Sequence, residues 1–303
     1  MVQGRSDGRV AVVTGAARGV GEATARRLAR RGLRLALLGR ELESLRQVAA
    51  GLTTETCCIE VDVTDEAALN GAARSVQARL GPASVVVANA GIAAAGPFAA
   101  SEPALFNRVI EVNLIGSANT ARAFLPQLLR TRGYYLQIAS TAAFGSAPLM
   151  SAYCASKAGV ESFAQALRTE LQPEGVDVGI AYLHWTGTDM IGGLDDHPVL
   201  SALRTHQPGP ARRVHSPDQV ADWLMHGINK RATNVYAPPW LRLVQPLRPV
   251  LPLMVSRVAR RSLADLPVTE LRSTTGVLGA GGRADWEAQR PAPPARPTTP
   301  PQC

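Results

Sequence analysis

The chain has 303 residues, of which 46% are apolar, enough for a substantial core and too many for a chain disordered throughout. Its net charge is +8, yet of its 32 cationic residues only Lys157 and Lys230 are lysine. This arginine- and alanine-rich bias is that of a GC-rich genome and says little about partners. Basic residues spread over solvated helix faces account for the charge. Without aromatic–basic interleaving, no nucleic-acid binding is expected. The four cysteines, Cys57, Cys58, Cys154 and Cys303, form no disulfide framework and lack metal-ligand spacing. The five histidines show no HxxH or HxxxH pair, so no metal site is expected. The polar segment Met1 to Arg9 gives no sign of a signal peptide, and no run approaches the roughly 20 apolar residues of a membrane span. A reduced, cytoplasmic protein is expected.

Strand signals fall at Val10–Thr14, Leu33–Leu38, Thr56–Val61, Ser84–Ala88, Tyr134–Ala139, Val176–Leu183 and Asn234–Ala237. Between them apolar residues recur at helical steps, as in Leu69, Ala72, Ala73, Val76 and Leu80, or Val160, Phe163, Ala164, Leu167 and Leu171. Ser216-Pro217-Asp218 reads as an N-cap, a first-turn proline and an acidic first turn. Regular alternation of strand and helix implies an α/β fold, a doubly wound parallel sheet of the Rossmann type with helices on both faces. Residues 1–239 are expected to form one dinucleotide-binding and catalytic domain. Residues 240–275 are an apolar and basic extension, broken by Pro246, Pro249 and Pro252. From Gly276 to Cys303 the Gly- and Pro-rich composition predicts a disordered tail.

The first strand runs straight into Gly15-Ala16-Ala17-Arg18-Gly19-Val20-Gly21, and a helix follows. Glycines there allow a sharp bend and close approach to a pyrophosphate, which the helix N-terminus attracts. The spacing is not GxGxxG, and a glycine-rich loop alone is a weak signal. TGAARGVG, however, resembles the TGxxxGxG loop of the short-chain dehydrogenase/reductase family, and further motifs follow in order. Asp62-Val63 resembles the pair that meets the adenine, and Asn89-Ala90-Gly91 the motif that shapes the cofactor wall. Asn113 lies in a VNLIG helix and Ser140 ends the fifth predicted strand. Tyr153-Cys154-Ala155-Ser156-Lys157 matches YxxxK. The resemblance covers roughly Arg9 to Ala237.

Tyr153 and Lys157, four apart on a helix, share one face. Hydride transfer to a carbonyl needs a proton donor and a polariser, and a nearby ammonium favours a phenolate. The resemblance implies that Tyr153 is the acid/base, that Lys157 also binds the nicotinamide ribose, and that Ser140 holds the substrate oxygen. It further implies that Asn113 holds a water relaying protons from Lys157. Thr188 matches the threonine that contacts the carboxamide. The Pro-Gly pair usual after the sixth strand is replaced here by His184-Trp185, which line the substrate pocket or merely rebuild the turn. An acid after the second strand would select NAD, but Gly39 occupies that place. Arg18 and Arg40 together can hold a 2′-phosphate, so NADP is expected, with NAD retained.

The reaction expected is hydride transfer between NADP(H) and a hydrophobic alcohol or ketone. The apolar stretches Ala93 to Phe98 and Ala142 to Met150, with the loop Met190 to Arg213, form the substrate side. A catalytically silent dinucleotide-sensing protein would have lost Tyr153 or Lys157. An epimerase or dehydratase would show another glycine spacing and a large C-terminal substrate domain. The resemblance also implies a homo-oligomer through the helices around Asn113 and Tyr153. The acid-free stretch Trp240 to Leu263 carries Arg242, Arg248, Arg257, Arg260 and Arg261 among apolar residues. It is expected to make peripheral contact with an anionic membrane, the rival uses being a lid over the substrate loop or packing against its own domain or a neighbouring subunit.

Overall fold

Short runs rich in valine, leucine and alanine become strands because a sheet covered on both faces buries most of the side chains its central strands carry. In the structure, a computed structural model describing residues 8–195, 201, 204, 209–264 and 276–289, seven such runs pair in parallel. They are β1 (Val10–Thr14), β2 (Arg34–Gly39), β3 (Thr56–Glu60), β4 (Ala83–Ala88), β6 (Tyr134–Ser140), β7 (Asp177–Leu183) and β8 (Asn234–Ala237). Their order is β3-β2-β1-β4-β6-β7-β8. The connections run outward in opposite directions from β1 and β4, which opens a crevice at the carboxyl ends of those two strands.

Alternate residues of β1 serve two cores. Val10 and Val12 face α3 (Glu66–Leu80), α5 (Gly116–Thr131) and α6 (Ser151–Leu171), where Leu69, Phe124 and Val160 are fully buried. Ala11 and Val13 face α1 (Gly19–Arg30), α2 (Leu42–Ala50) and α8 (Pro217–Lys230) through Leu28, Leu45 and Leu224. Ser216 caps α8 as its sequence implies, accepting a hydrogen bond from the Gln219 amide at 3.2 Å. The helix α4 (Pro103–Ile110) runs into α5 through a π turn over Glu111–Ile115, which carries Asn113. A short α7 (Asp189–Asp195) follows β7. His197 and His206 lie outside the described residues, as does part of the expected substrate loop.

The extension is built as its prolines dictate, in pieces. A turn of helix over Leu241–Val244 and a 3₁₀ turn over Gln245–Leu247 precede α9 (Leu251–Ala264), which accommodates Pro252 in its first turn. Arg248 fastens this extension to the domain. Its guanidinium pairs with the buried Glu161 carboxylate, donates to the Ala143 carbonyl at 2.9 Å, and lies 5.0 Å from the Phe144 ring centroid.

The expectation of disorder from Gly276 onward fails for Gly276–Gln289. Gly276–Leu278 forms β9, antiparallel to an unpredicted strand β5 (Ala93–Ala95), and Gly279–Gln289 forms α10. Glycine here serves close packing rather than looseness. Gly279 turns at φ +77°, and a Cβ on it would stand 2.8 Å from the Met190 backbone. Trp286 packs against the core, and Asp285 is buried among arginines. Residues 290–303 lie outside the described residues.

Candidate active site

The turn between β1 and α1 is braced from behind. The Thr14 hydroxyl accepts from the Asn89 and Ala90 amides at 3.0 and 3.1 Å, and the Asn89 carboxamide donates to the Thr14 and Gly15 carbonyls at 3.0 and 3.1 Å. Any Cβ on Gly21 would collide with the Gly15 carbonyl oxygen, so α1 can start this close to β1 only with glycine there. In front of the turn lies an open cleft of about 980 Å³, at the upper end of the ~300–1,000 Å³ typical of ligand sites.

The sequence-predicted cofactor residues converge on it from five loops. Gly15, Arg18, Gly19 and Val20 come from the first turn, and Arg40 follows β2. Asp62 and Val63 follow β3; Asn89, Ala90 and Gly91 follow β4; Thr188 follows β7. Gly21 is the exception, standing behind the turn rather than lining the cleft. A glycine-lined helix start at the crevice of a doubly wound sheet fits a dinucleotide.

Ser140, Tyr153 and Lys157 line the same cleft. Ser140 sits at the last residue of β6; its hydroxyl accepts from the Ala142 amide at 3.1 Å and lies beside the Tyr153 phenol. Burial pushes that phenol up to about 12, the neighbouring Ser140 hydroxyl acting in the opposite sense. The sequence reading leaned on Lys157 to favour the phenolate; here burial dominates and Tyr153 holds its proton at neutral pH. Lys157 is 5% exposed, donates to the Ile138 carbonyl at 3.2 Å and lies 5.7 Å from the Tyr153 ring centroid. Burial lowers its ammonium to about 8. Asn113 is wholly buried behind Gly91. Its carboxamide is paired with both the amide and the carbonyl of Ile92, at 2.8 and 2.9 Å, and donates to Ser156 Oγ at 2.8 Å. Ser156, absent from the sequence-predicted set, in turn donates to the Tyr153 carbonyl at 2.8 Å, tying Asn113 to α6.

At the far end of the cleft the expected 2′-phosphate ligands are already engaged. Arg18 pairs with Glu41, and Arg40 with Asp285, its Nε also 3.6 Å from Asp62. Arg108, on α4, completes the group. Its Nε and Nη2 hold Asp285 at 2.8 and 2.7 Å, and Nη2 also holds Asp62 at 2.6 Å. Burial acts to lower the Arg108 guanidinium, but its bonds from Asp285 and Asp62 outweigh this and raise it above the ordinary arginine value. Burial likewise acts to raise Asp62, but Thr64 and Arg108 hold it below the usual carboxylate range. Neither Arg108 nor Asp285 carries a local motif; they meet 177 residues apart in sequence.

Of the His184-Trp185 replacement, His184 lines the cleft and Trp185 does not. The His184 ring donates through Nε2 to the Ala211 carbonyl at 2.7 Å, leaving Nδ1 to accept from Thr141 at 3.0 Å. Burial lowers it to about 4, so it is neutral. Trp185, like Ala142, Ala147, Leu149, Tyr153 and Met190, packs against a buried cluster of Ala93, Ala95, Met150, Cys154 and Leu278, an apolar wall beside the Tyr153 ring.

Residues 9–198 match the family model described as short chain dehydrogenase. The chain belongs to the short-chain dehydrogenase family. Among relatives of this family, dehydrogenase/reductase SDR family member 7B of Bos taurus is 31% identical, over 83% of this chain and 82% of its own length. Probable oxidoreductase EphD of Mycobacterium tuberculosis (strain ATCC 25618 / H37Rv) is also 31% identical, over 79% of this chain. The chain spans only 40% of EphD's length, and 18% of that of the 32% identical glycine betaine reductase ATRR of Emericella nidulans. A metagenomic short-chain oxidoreductase solved with NADP superimposes with a TM-score of 0.62 at 30% identity, covering 76% of this chain and 97% of that one. A short chain dehydrogenase of Mycobacterium paratuberculosis bound to NAD gives 0.66 at 27% identity, covering 77% and 97%. As a short-chain dehydrogenase the chain departs from a bare domain through α9 and the β9–α10 segment over the cleft.

Proposed function

We propose that this short-chain dehydrogenase interconverts a hydrophobic alcohol and its ketone with NADP(H), accepting NAD(H) as well. The observation that carries the reading is the convergence of Ser140, Tyr153 and Lys157 on one cleft, with the Lys157 ammonium buried beside the Tyr153 ring. The dinucleotide, when bound, supplies or receives the hydride. Ser140 orients the substrate oxygen, and Tyr153, protonated at neutral pH, delivers its proton as negative charge develops there. Lys157 stabilises the phenolate left behind and binds the nicotinamide ribose. Asn113 fixes the helix junction and positions a water that relays protons from Lys157. The apolar residues Leu183, Met190, Ile191 and Leu278 on the cleft wall favour an apolar substrate. A screen of hydrophobic ketones and alcohols, following NADPH absorbance, tests this with Tyr153→Phe alongside. Loss of the general acid lowers kcat by about 10²–10⁴ with dinucleotide affinity nearly unchanged. Wild-type turnover in the Phe variant would remove Tyr153 from the mechanism.

We further propose that the extension rests on an anionic bilayer. Leu243, Leu247, Val250, Leu253 and Met254 are exposed, beside exposed Arg242, Arg257 and Arg260. Arg248 is withdrawn from that set by Glu161, and the Arg261 side chain lies outside the described residues. No described helix is long and apolar enough to span a membrane. Each arginine adds about 1 kcal/mol at such a surface. Sedimentation with anionic vesicles at low salt should be lost in the full chain carrying Leu253→Glu and Met254→Glu; equal sedimentation refutes the contact.

A further inference from the structure

The segment Gly276–Gln289 is a strap across the whole cleft. At one end Leu278, held by the β5–β9 pairing, joins the apolar wall that includes Tyr153. In the middle Gly281 passes over Arg18, a Cβ on it falling 3.3 Å from the guanidinium. At the other end Asp285, 6% exposed, takes a bidentate grip from Arg108 and a further bond from Arg40. All of these residues line the cleft except Arg108.

The place Asp285 occupies has a chemical meaning. Residues just after the second strand of a doubly wound sheet meet the adenosine ribose, an acid there selecting a 2′-hydroxyl and an arginine a 2′-phosphate. Gly39 supplies no acid and Arg40 supplies the arginine, but with the strap seated Arg40 faces two carboxylates, Asp62 and Asp285. The cluster of two arginines and two aspartates is then neutral. A phosphate dianion set beside it would confront both carboxylates with no guanidinium left over, whereas a hydroxyl would find acceptors at hand.

We propose that Asp285 is a cofactor-specificity residue carried on a displaceable strap. Its carboxylate holds the arginines that a 2′-phosphate would need, so NAD(H) binds beneath the seated strap and NADP(H) binds only by expelling Asp285. This rests on the dinucleotide reading above and adds to it a coupling: whatever tightens one seat weakens the other by the same factor. The strap's hold is divided among three-residue strand pairing, the turn at Gly279, partly buried packing of Val277 and Trp286 against the core, and this one ion cluster, which an anionic ligand would contest directly.

Amide exchange on the full chain, read over 279–289 with saturating NADPH and then NADH, provides the test, with dinucleotide affinities measured in parallel on Asp285→Asn. NADPH should speed exchange in this segment by tenfold or more while NADH leaves it protected. Asp285→Asn should tighten NADPH at least tenfold relative to NADH. If NADPH binds with the segment still protected, or if the variant keeps the NADPH/NADH affinity ratio within twofold, the inference is overturned while the dinucleotide reading stands. If neither dinucleotide binds, nor slows exchange at the Gly15–Gly21 turn, both fall together.

Discussion

Lys157→Met should make the protein more stable while destroying its chemistry. The ammonium is 5% exposed and has one carbonyl, that of Ile138, as its hydrogen-bond partner. Burial lowers it from 10.5 to about 8, which at neutral pH corresponds to about 3 kcal/mol of stability forgone to keep it charged. Methionine has nearly the same length and no charge. It recovers that cost less about 1 kcal/mol for the hydrogen bond given up. A net gain of about 2 kcal/mol raises Tm by roughly 3 °C for a chain of this size. The pH dependence follows from the same shift. Between pH 8 and 10.5 the unfolded wild-type chain still holds a proton that the folded chain has released, so wild-type stability rises with pH across that window and is lost again as pH falls through 8. The methionine variant lacks this rise, and the gap between the two should close by about pH 10.5. Thermal unfolding of the cofactor-free proteins at pH 7 and pH 10 measures both quantities. A variant less stable than wild type at pH 7, or a gap that does not change with pH, would show that the buried ammonium carries no such cost.

Two further outcomes bear on the frame around the site. Arg248→Ala leaves the Glu161 carboxylate, 3% exposed, with only the Tyr182 hydroxyl and Gln165 as donors; a loss of about 2–3 kcal/mol should lower Tm by several degrees, and adding Glu161→Gln should recover part of it. A Tm within 1 °C of wild type would show that the extension is not fastened there. Gly21→Ala should weaken dinucleotide binding at least tenfold in titration calorimetry, because its Cβ would collide with the Gly15 carbonyl oxygen; unchanged affinity would mean that the turn has room the structure does not show.

What the sequence disclosed and what it hid divide along contact distance. The seven parallel strands were legible because each buried strand needs a largely apolar run, a property of four to seven neighbouring residues. Tyr153 and Lys157 were legible for the same reason, since one helix turn brings them together. The strand β5 was not, because Ala93–Ala95 has no strand character of its own and becomes a strand only by pairing with Gly276–Leu278. The tail reading failed through composition: glycine and proline were counted as loosening, whereas Gly279 is required for a close approach to Met190. Arg40 shows the most consequential form of this limit. Its position after β2 is a local fact, and local reasoning rightly saw an arginine where an acid would choose NAD. Its partner is not local. The carboxylate that neutralises it comes from Asp285, 245 residues further along, so the acid absent from the end of β2 is restored by the fold, on a segment that can leave.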